Sequence, residues 1–383
     1  MQTAAIIFGA GKTGRGLAAA LCERSGVPFG LVDRDADLIA ELKAAGEYRL
    51  DVLGGKARVL RPAFAATLVS LGWQDAFNAA QLCFTAVVGS NFPALAPALA
   101  KALERRHDAG PIGIVAPLNI VTCENLARAA PVLRDAVANS IKPARRDAVL
   151  KNVGFVEAMV LTTCLGPADP KTDPLAVRAQ NSFRLPCDAE AFVGSVPAIN
   201  GLEPLLNFGR QLIRKIYTYN GINAVICYRG AELGYAGLAK AARDPRIAAL
   251  AFEAGNEASA GLIGEYGFDA AEQERWRDAA LAKFADASIP DPISRNAADP
   301  VRKLARDDRL VGPALLAIKH GREPRALARG IVAAANFSDE GKPPLLKQFG
   351  SLERVLAEVC KLTPSEPLFE LVLRVAREPE IRV

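Results

Sequence analysis

The stretch RKIYTYNGINAVICYRG, residues 214–230, places one lysine and two asparagines at a spacing that could do chemistry. Asn220 lies five residues after Lys215, and Asn223 three further on. A lysine taken out of water loses its preference for the ammonium form and becomes able to accept a proton near neutral pH. The flanking run KIYTY is aromatic and aliphatic, which suits such burial. Two carboxamides nearby could donate hydrogen bonds to an oxygen that gains negative charge. On a straight α-helix Lys215 and Asn220 would stand roughly 140° apart and share no face. Asn220-Gly221 is a turn dipeptide, so the sequence predicts a break there, with Lys215 ending one element and Asn223 opening the next. The same text also reads as a plain helix junction: a surface lysine, an Asn-Gly C-cap and Asn223 as an N-cap. Local sequence leaves both readings open.

A second candidate site opens the chain. FGAGKTGRG carries Gly9-x-Gly11-x-x-Gly14 directly after the apolar run AAIIF and directly before a helical stretch. In that setting the first glycine permits a tight turn, the second lets a pyrophosphate approach the backbone, and the third lets helix and strand pack closely. The helix start at Lys12, Thr13 and Gly14 would present free N–H groups to the phosphates. Asp33 ends the next apolar run, 19 residues after Gly14. A carboxylate there accepts from ribose hydroxyls and repels a 2′-phosphate, favouring NAD over NADP. Arg34, next in sequence, could bind such a phosphate. A ligand-free turn with Asp33 capping the following helix is the alternative reading.

These residues need an α/β frame. Apolar runs at 4–8, 29–33, 83–89 and 112–117 alternate with amphipathic stretches, which predicts a doubly wound parallel sheet with helices on both faces. YRLDVLGGKARVL (48–60) interrupts the alternation, and Gly54-Gly55 marks it as a hairpin. Turn residues cluster in VPAINGLEP (196–204), which sets the expected domains at 1–195, a Rossmann dinucleotide-binding domain, and 196–383, a mainly α-helical substrate domain. The later text is helical, cut into short elements by prolines.

Composition narrows the function. The chain has 383 residues, half of them hydrophobic, and a net charge of +5, too mild and dispersed for a nucleic-acid partner. No apolar run reaches the about 18 residues of a membrane span, and no leader pattern follows Met1, so a cytoplasmic protein is expected. Seven scattered cysteines read as reduced thiols, and two isolated histidines offer no metal site. Cys123 reads as a packed thiol.

The blocks GAGKTGRG, NIVTCENLARAA (119–130), VGFVEAMV (153–160), KIYTYNGINA (215–224), YGFDA (266–270) and DPVRKLARDDRL (299–310) occur in an order that resembles the polyol-specific long-chain dehydrogenases, the mannitol dehydrogenase family. The resemblance covers nearly the whole chain, and the length suits the phosphate-using branch, the mannitol-1-phosphate 5-dehydrogenases. It implies a Rossmann domain, a helical C-terminal domain, an active site in the cleft between them, NAD and no metal. It also implies Lys215 as general base, Asn220 as alkoxide donor, and Asn125 near the nicotinamide ribose or the substrate. The implied pair is mannitol 1-phosphate and fructose 6-phosphate, handled by a monomer or homodimer.

Two positions depart from the family pattern. Asn223 stands where the family has histidine, and Val160-Leu161-Thr162 stands where it usually reads Val-Asp-Arg. Glu157 occupies the place of an alkoxide-binding asparagine of the longer mannitol 2-dehydrogenases. These changes leave two further readings: a sugar-acid (hexonate) oxidoreductase, and an NAD-binding sensor or scaffold of degraded activity. The basic stretch 294–310 offers Arg295, Arg302, Lys303 and Arg309 as ligands for a substrate phosphate or polyol hydroxyls, Arg295 and Lys303 foremost. It reads equally as a solvated helix face with Asp307 and Asp308 as partners.

Overall fold

The computed structural model describes residues 5–109, 116–124, 126, 128–339 and 341–378. These form two compact units, Met1–Phe208 and Gly209–Val383.

The first unit carries strands β1 (Ala5–Phe8), β2 (Phe29–Asp33), β3 (Tyr48–Leu53), β4 (Arg58–Leu60), β5 (Phe64–Thr67), β6 (Leu82–Thr85), β7 (Leu118–Thr122), β8 (Val153–Glu157), β9 (Cys164–Leu165), β10 (Val177–Gln180), β11 (Leu185–Asp188) and β12 (Leu202–Leu205). Six of them make a parallel sheet in the order β5-β2-β1-β6-β7-β8. Counting only these six, the order is 3-2-1-4-5-6, that of a doubly wound dinucleotide-binding sheet. Strand β1 is buried along its whole length, as a central parallel strand must be. Its alternate side chains feed two cores: Ala5 and Ile7 on one face, Ile6 and Phe8 on the other, where Phe8 meets Trp73 and Phe77 edge-on.

The expected hairpin is present. β3 and β4 pair antiparallel around Gly54, whose φ of +72° a glycine adopts without strain. Two sequence readings shift. Strand β7 begins at Leu118, and most of the run 112–117 lies outside the described residues. The turn-rich stretch 196–204, read as the domain boundary, instead leads into β12, which pairs with β11. Its main-chain hydrogen bonds keep it in the first unit, and the chain divides between Phe208 and Gly209.

The second unit is helical. Its core gathers Ile222, Val225, Ile226 and Tyr228 of helix Gly221–Glu232 against Ala251 and Ala254 of helix Pro245–Tyr266 and Ile331 and Ala334 of helix Arg325–Asn336. Small residues permit close approach: a Cβ on Gly230 would come within 2.8 Å of the Ala241 Cβ. No helix among the described residues is long and apolar enough to cross a membrane.

Candidate active site

Two sets of candidate residues stand out, one in each unit. In the first, the three fingerprint glycines have separable duties. A Cβ on Gly14 would lie 1.8 Å from the Gly9 carbonyl oxygen, and one on Gly9, at φ +102°, would lie 2.4 Å from the Ala86 carbonyl oxygen. Both positions require glycine for the protein's own packing. Gly11 does not: a Cβ there would meet no atom within 4 Å. The open space at Gly11 faces the need of a ligand that must approach the backbone. Lys12 and Thr13 follow, in the first helical turn.

Asp33 stands at the end of β2. One carboxylate oxygen accepts from the Ala10 amide at 2.6 Å and the other from the Asp35 amide at 3.0 Å, which ties the acid to the glycine turn. Each oxygen keeps a lone pair for a ribose hydroxyl. A cleft of about 320 Å³ opens beside it, lined by Gly11, Asp33, Arg34, Val87, Val88 and Asn91 among others. The glycine turn, the free approach at Gly11 and this acid fit a dinucleotide. Arg34 donates to the Asn91 side chain at 3.0 Å, so the cation beside Asp33 already has a partner.

Glu124 is a buried carboxyl that the sequence reading passed over. It follows β7 and accepts from the Thr85 hydroxyl at 2.8 Å and the Val87 amide at 3.0 Å. Burial pushes its pKa up to about 7 against the pull of those two bonds. A carboxylate at the carboxyl end of a central parallel strand is the signal that could have drawn attention to it. Asn125 lies outside the described residues. Glu157, at the end of β8, accepts from the Ala129 amide at 3.1 Å at the start of helix Ala129–Ser140, and burial raises its pKa. Thr162 is buried, its hydroxyl donated to the Ser182 carbonyl. Cys123 is buried and its thiol pKa is pushed well up by desolvation, in keeping with a packed thiol.

In the second unit the expected break at Asn220-Gly221 does not occur. Helix Phe208–Lys215 runs through a π-helical turn, Ile216–Asn220, straight into helix Gly221–Glu232. The Gly221 amide bonds the Ile216 carbonyl, five residues back. Gly221 keeps ordinary helical angles (φ −63°, ψ −54°). It serves close packing instead of a turn, because a Cβ there would lie 2.9 Å from the Arg309 carbonyl oxygen. The π-turn answers the spacing problem. Across such a turn, residue i+5 stands over residue i much as i+4 does in an α-helix. The register therefore places Asn220 on the same face of the helix as Lys215, and Asn223, three residues further in regular helix, continues that face.

Lys215 is buried, and desolvation brings its pKa down to about 7 from 10.5. The positive charges of Arg309 and Lys283 push the same way, and Asp308 opposes them. Lys303 is also buried. It donates to the Asn296 carbonyl, lies 6.0 Å from the Tyr228 ring centre, and has its pKa lowered to about 8 by burial, with Arg309 again contributing. Arg309 is held by Asp308 at 2.7 Å. Asn223 donates to the Asn296 side chain at a long 3.4 Å. The charge of Arg309 thus acts on both Lys215 and Lys303. Arg295 is drawn elsewhere: it makes two bonds, 2.9 and 2.7 Å, to Asp291 with its side chain 53% exposed. Among the described residues no group of three or more Cys, His, Asp or Glu could hold a metal ion.

A parallel 3-2-1-4-5-6 sheet with a glycine turn and an acid at the end of its second strand defines a Rossmann dinucleotide-binding domain. The description "Mannitol dehydrogenase Rossmann domain" matches residues 3–201, and "Mannitol dehydrogenase C-terminal domain" matches residues 211–343. The chain belongs to the mannitol dehydrogenase family and is an oxidoreductase. It is 31% identical over 382 residues to mannitol-1-phosphate 5-dehydrogenase of Bacillus subtilis strain 168, covering 97% of this chain and 98% of that protein. The enzyme of the same name from Bacillus velezensis is also 31% identical, over 380 residues, with the same coverage. In fold, the chain is similar to D-sorbitol dehydrogenase in substrate-free form (TM-score 0.77, 18% identity, covering 97% of this chain and 91% of that one). It is also similar to Pseudomonas fluorescens mannitol 2-dehydrogenase in a ternary complex with NAD and D-mannitol (TM-score 0.71, 15% identity, 98% and 91%).

Proposed function

We propose that this oxidoreductase interconverts a polyol phosphate and a ketose phosphate, with mannitol 1-phosphate and fructose 6-phosphate as the pair and Lys215 as general base. The observation that carries this reading is Lys215: buried, with its pKa brought down to about 7, and followed by a π-turn whose register puts Asn220 on its face of the helix. NAD, when bound, supplies the acceptor for the hydride that leaves the carbinol carbon. Neutral Lys215 takes the hydroxyl proton on Nζ, and the ammonium so formed returns it to the carbonyl oxygen when the reaction runs as a reduction. Asn220 donates an amide N–H to the oxygen as negative charge develops, a duty typically worth about 10²–10³ in rate. Asn223, where the resemblance leads one to expect histidine, adds a second donor but cannot carry a proton. Asp33 and the Gly9–Gly14 turn hold the dinucleotide. Lys303 and Arg309 meet the substrate phosphate, and Arg295, paired with Asp291, is left out of that role.

Support for a phosphorylated substrate comes from these two cations and from the named relatives, the mannitol-1-phosphate 5-dehydrogenases. The same cations would also accept a carboxylate, which keeps a sugar acid as the second reading. The test is NADH absorbance on mannitol 1-phosphate, mannitol and a hexonate, each with NAD. Mannitol 1-phosphate should exceed mannitol by roughly a hundredfold in kcat/KM, about 3 kcal/mol, the order of one or two charge-assisted hydrogen bonds. Lys303→Met should erase most of that gap. A hexonate turned over faster than the phosphate would replace the reading, and no turnover of any polyol would leave a nucleotide-binding sensor.

A further inference from the structure

We infer that Thr218 and Gln273, with Arg214 and Ser259, are positioning residues that hold the π-turn in register and thereby keep Asn220 on the same face as Lys215. The inference rests on the reading of Lys215 and Asn220 given above. A π-turn is rare, a single-turn departure from the α-helix around it, so the surroundings must hold it. If Ile216–Asn220 relaxed to α-helical register, Asn220 would swing to roughly 140° from Lys215, and the pair would no longer address one oxygen.

Behind the turn lies a buried polar network. Gln273, on helix Ala270–Phe284, is fully buried. Its side-chain amide donates to the Thr218 hydroxyl at 2.9 Å and to the Ser259 hydroxyl at 3.1 Å. Its carbonyl oxygen accepts from Arg214 Nε at 2.7 Å, and Ser259 passes its own proton to the Gly255 carbonyl at 2.7 Å. Thr218 is the middle residue of the π-turn, so its side chain leaves the helix on the side away from the Lys215–Asn220 line. Arg214, in the turn before, is fixed independently. Its guanidinium lies 4.6 Å from the ring centres of both Phe268 and Trp276 and pairs with Glu272 at 2.8 Å. Tyr219 packs edge-on to Trp276 with centres 5.5 Å apart.

The network therefore grips the helix on both sides of the extra residue: at Arg214 before it and at Thr218 within it. A one-residue slip would strand the Gln273 amide and the Thr218 hydroxyl without partners in a dry interior, and each such loss is costly. The network's effect on the reaction passes through the angular position of Asn220.

The experiment uses the full-length enzyme with Lys215 intact. Thr218→Val keeps the side-chain shape and removes the hydroxyl; Gln273→Leu removes the amide; Thr218→Ser restores the hydroxyl. NAD affinity, set in the other unit, and circular dichroism report folding. Thr218→Val is expected to lower kcat about tenfold or more with KM changed less than about threefold, because the misplaced donor acts on the developing charge. Thr218→Ser should stay within about threefold of wild type in kcat. The double variant Thr218→Val, Asn220→Ala should fall little below Asn220→Ala alone, since the two changes remove one interaction. Losses that multiply in the double variant, or a folded Thr218→Val enzyme with wild-type kcat, would overturn the inference. Turnover retained in a Lys215 variant would instead overturn the base assignment, and the Thr218–Asn220 coupling is read separately from that.

Discussion

Replacing Lys215 by methionine should remove most turnover and at the same time stabilise the fold at neutral and acid pH. Burial holds the Lys215 ammonium at a pKa of about 7, and the nearby charges of Arg309 and Lys283 add to the effect. In the unfolded chain the group titrates near its ordinary value of about 10.4. Below pH 7 the side chain is charged in both states, and the fold carries the whole cost of burying it. Between about pH 7 and pH 10.4 the folded protein releases a proton that the unfolded chain keeps, so the cost shrinks as pH rises. Above that range both states are neutral and the cost is gone. A displacement of about three and a half pH units, at 1.36 kcal/mol each, sets an upper bound of roughly 5 kcal/mol. Methionine fills similar space without a charge. The variant should therefore gain up to several kcal/mol in urea unfolding at pH 6, with the gain fading toward pH 10. Turnover should fall by about 10²–10⁴, the usual range for a general base, and the rising limb of the pH profile near 7 should vanish. NAD affinity should hold. A Lys215→Met enzyme no more stable than wild type at pH 6 would show that the lysine is not desolvated, and the argument for its role would fail with it.

The fingerprint glycines should separate in experiment. Gly11→Ala is expected to fold with an unchanged Tm and lose NAD affinity, since its Cβ meets no protein atom. Gly14→Ala should lose stability outright, its Cβ falling 1.8 Å from the Gly9 carbonyl oxygen; equal Tm losses in both variants would contradict this division. Asp33→Ser should narrow the preference for NAD over NADP in paired titrations by freeing the site of a carboxylate that faces a 2′-phosphate; wild-type binding of NADP as tight as NAD would refute that assignment. Asn223→Ala should cost about 1–3 kcal/mol in kcat/KM, the loss of one buried hydrogen-bond partner, while Asn223→His should match or exceed wild type. Identical kcat/KM for Asn, Ala and His at this position would place Asn223 outside the site.

Much of the first unit was legible along the chain because its signals are local. Burial of β1, β2 and β6 follows from short apolar runs, and the glycine turn lies between the first of these and its helix, all within 20 or so residues. The acid after β2 is placed by its distance from that turn. The alternation of strand and helix points to a parallel sheet with helices on both faces, while its strand order is decided by the fold. Other features depend on partners far away in sequence, and no window of residues contains them. Whether Lys215 is a surface cation or a base at a pKa of about 7 turns on burial and on Arg309, ninety-four positions along. Arg295 and Lys303 look alike in the text, yet one pairs with Asp291 and stays half exposed while Asn296 and Tyr228 enclose the other. The boundary moved from 195 to 208 because β12 finds a main-chain partner in β11. Asn220-Gly221 has the chemistry of a turn, but the Arg309 carbonyl and the Gln273 network press the segment into a continuous helix with one extra residue. The sequence, through its family resemblance, could state only the expectation that Lys215 and Asn220 converge. Only packing from distant helices could decide that a π-turn, and not a break, brings them together.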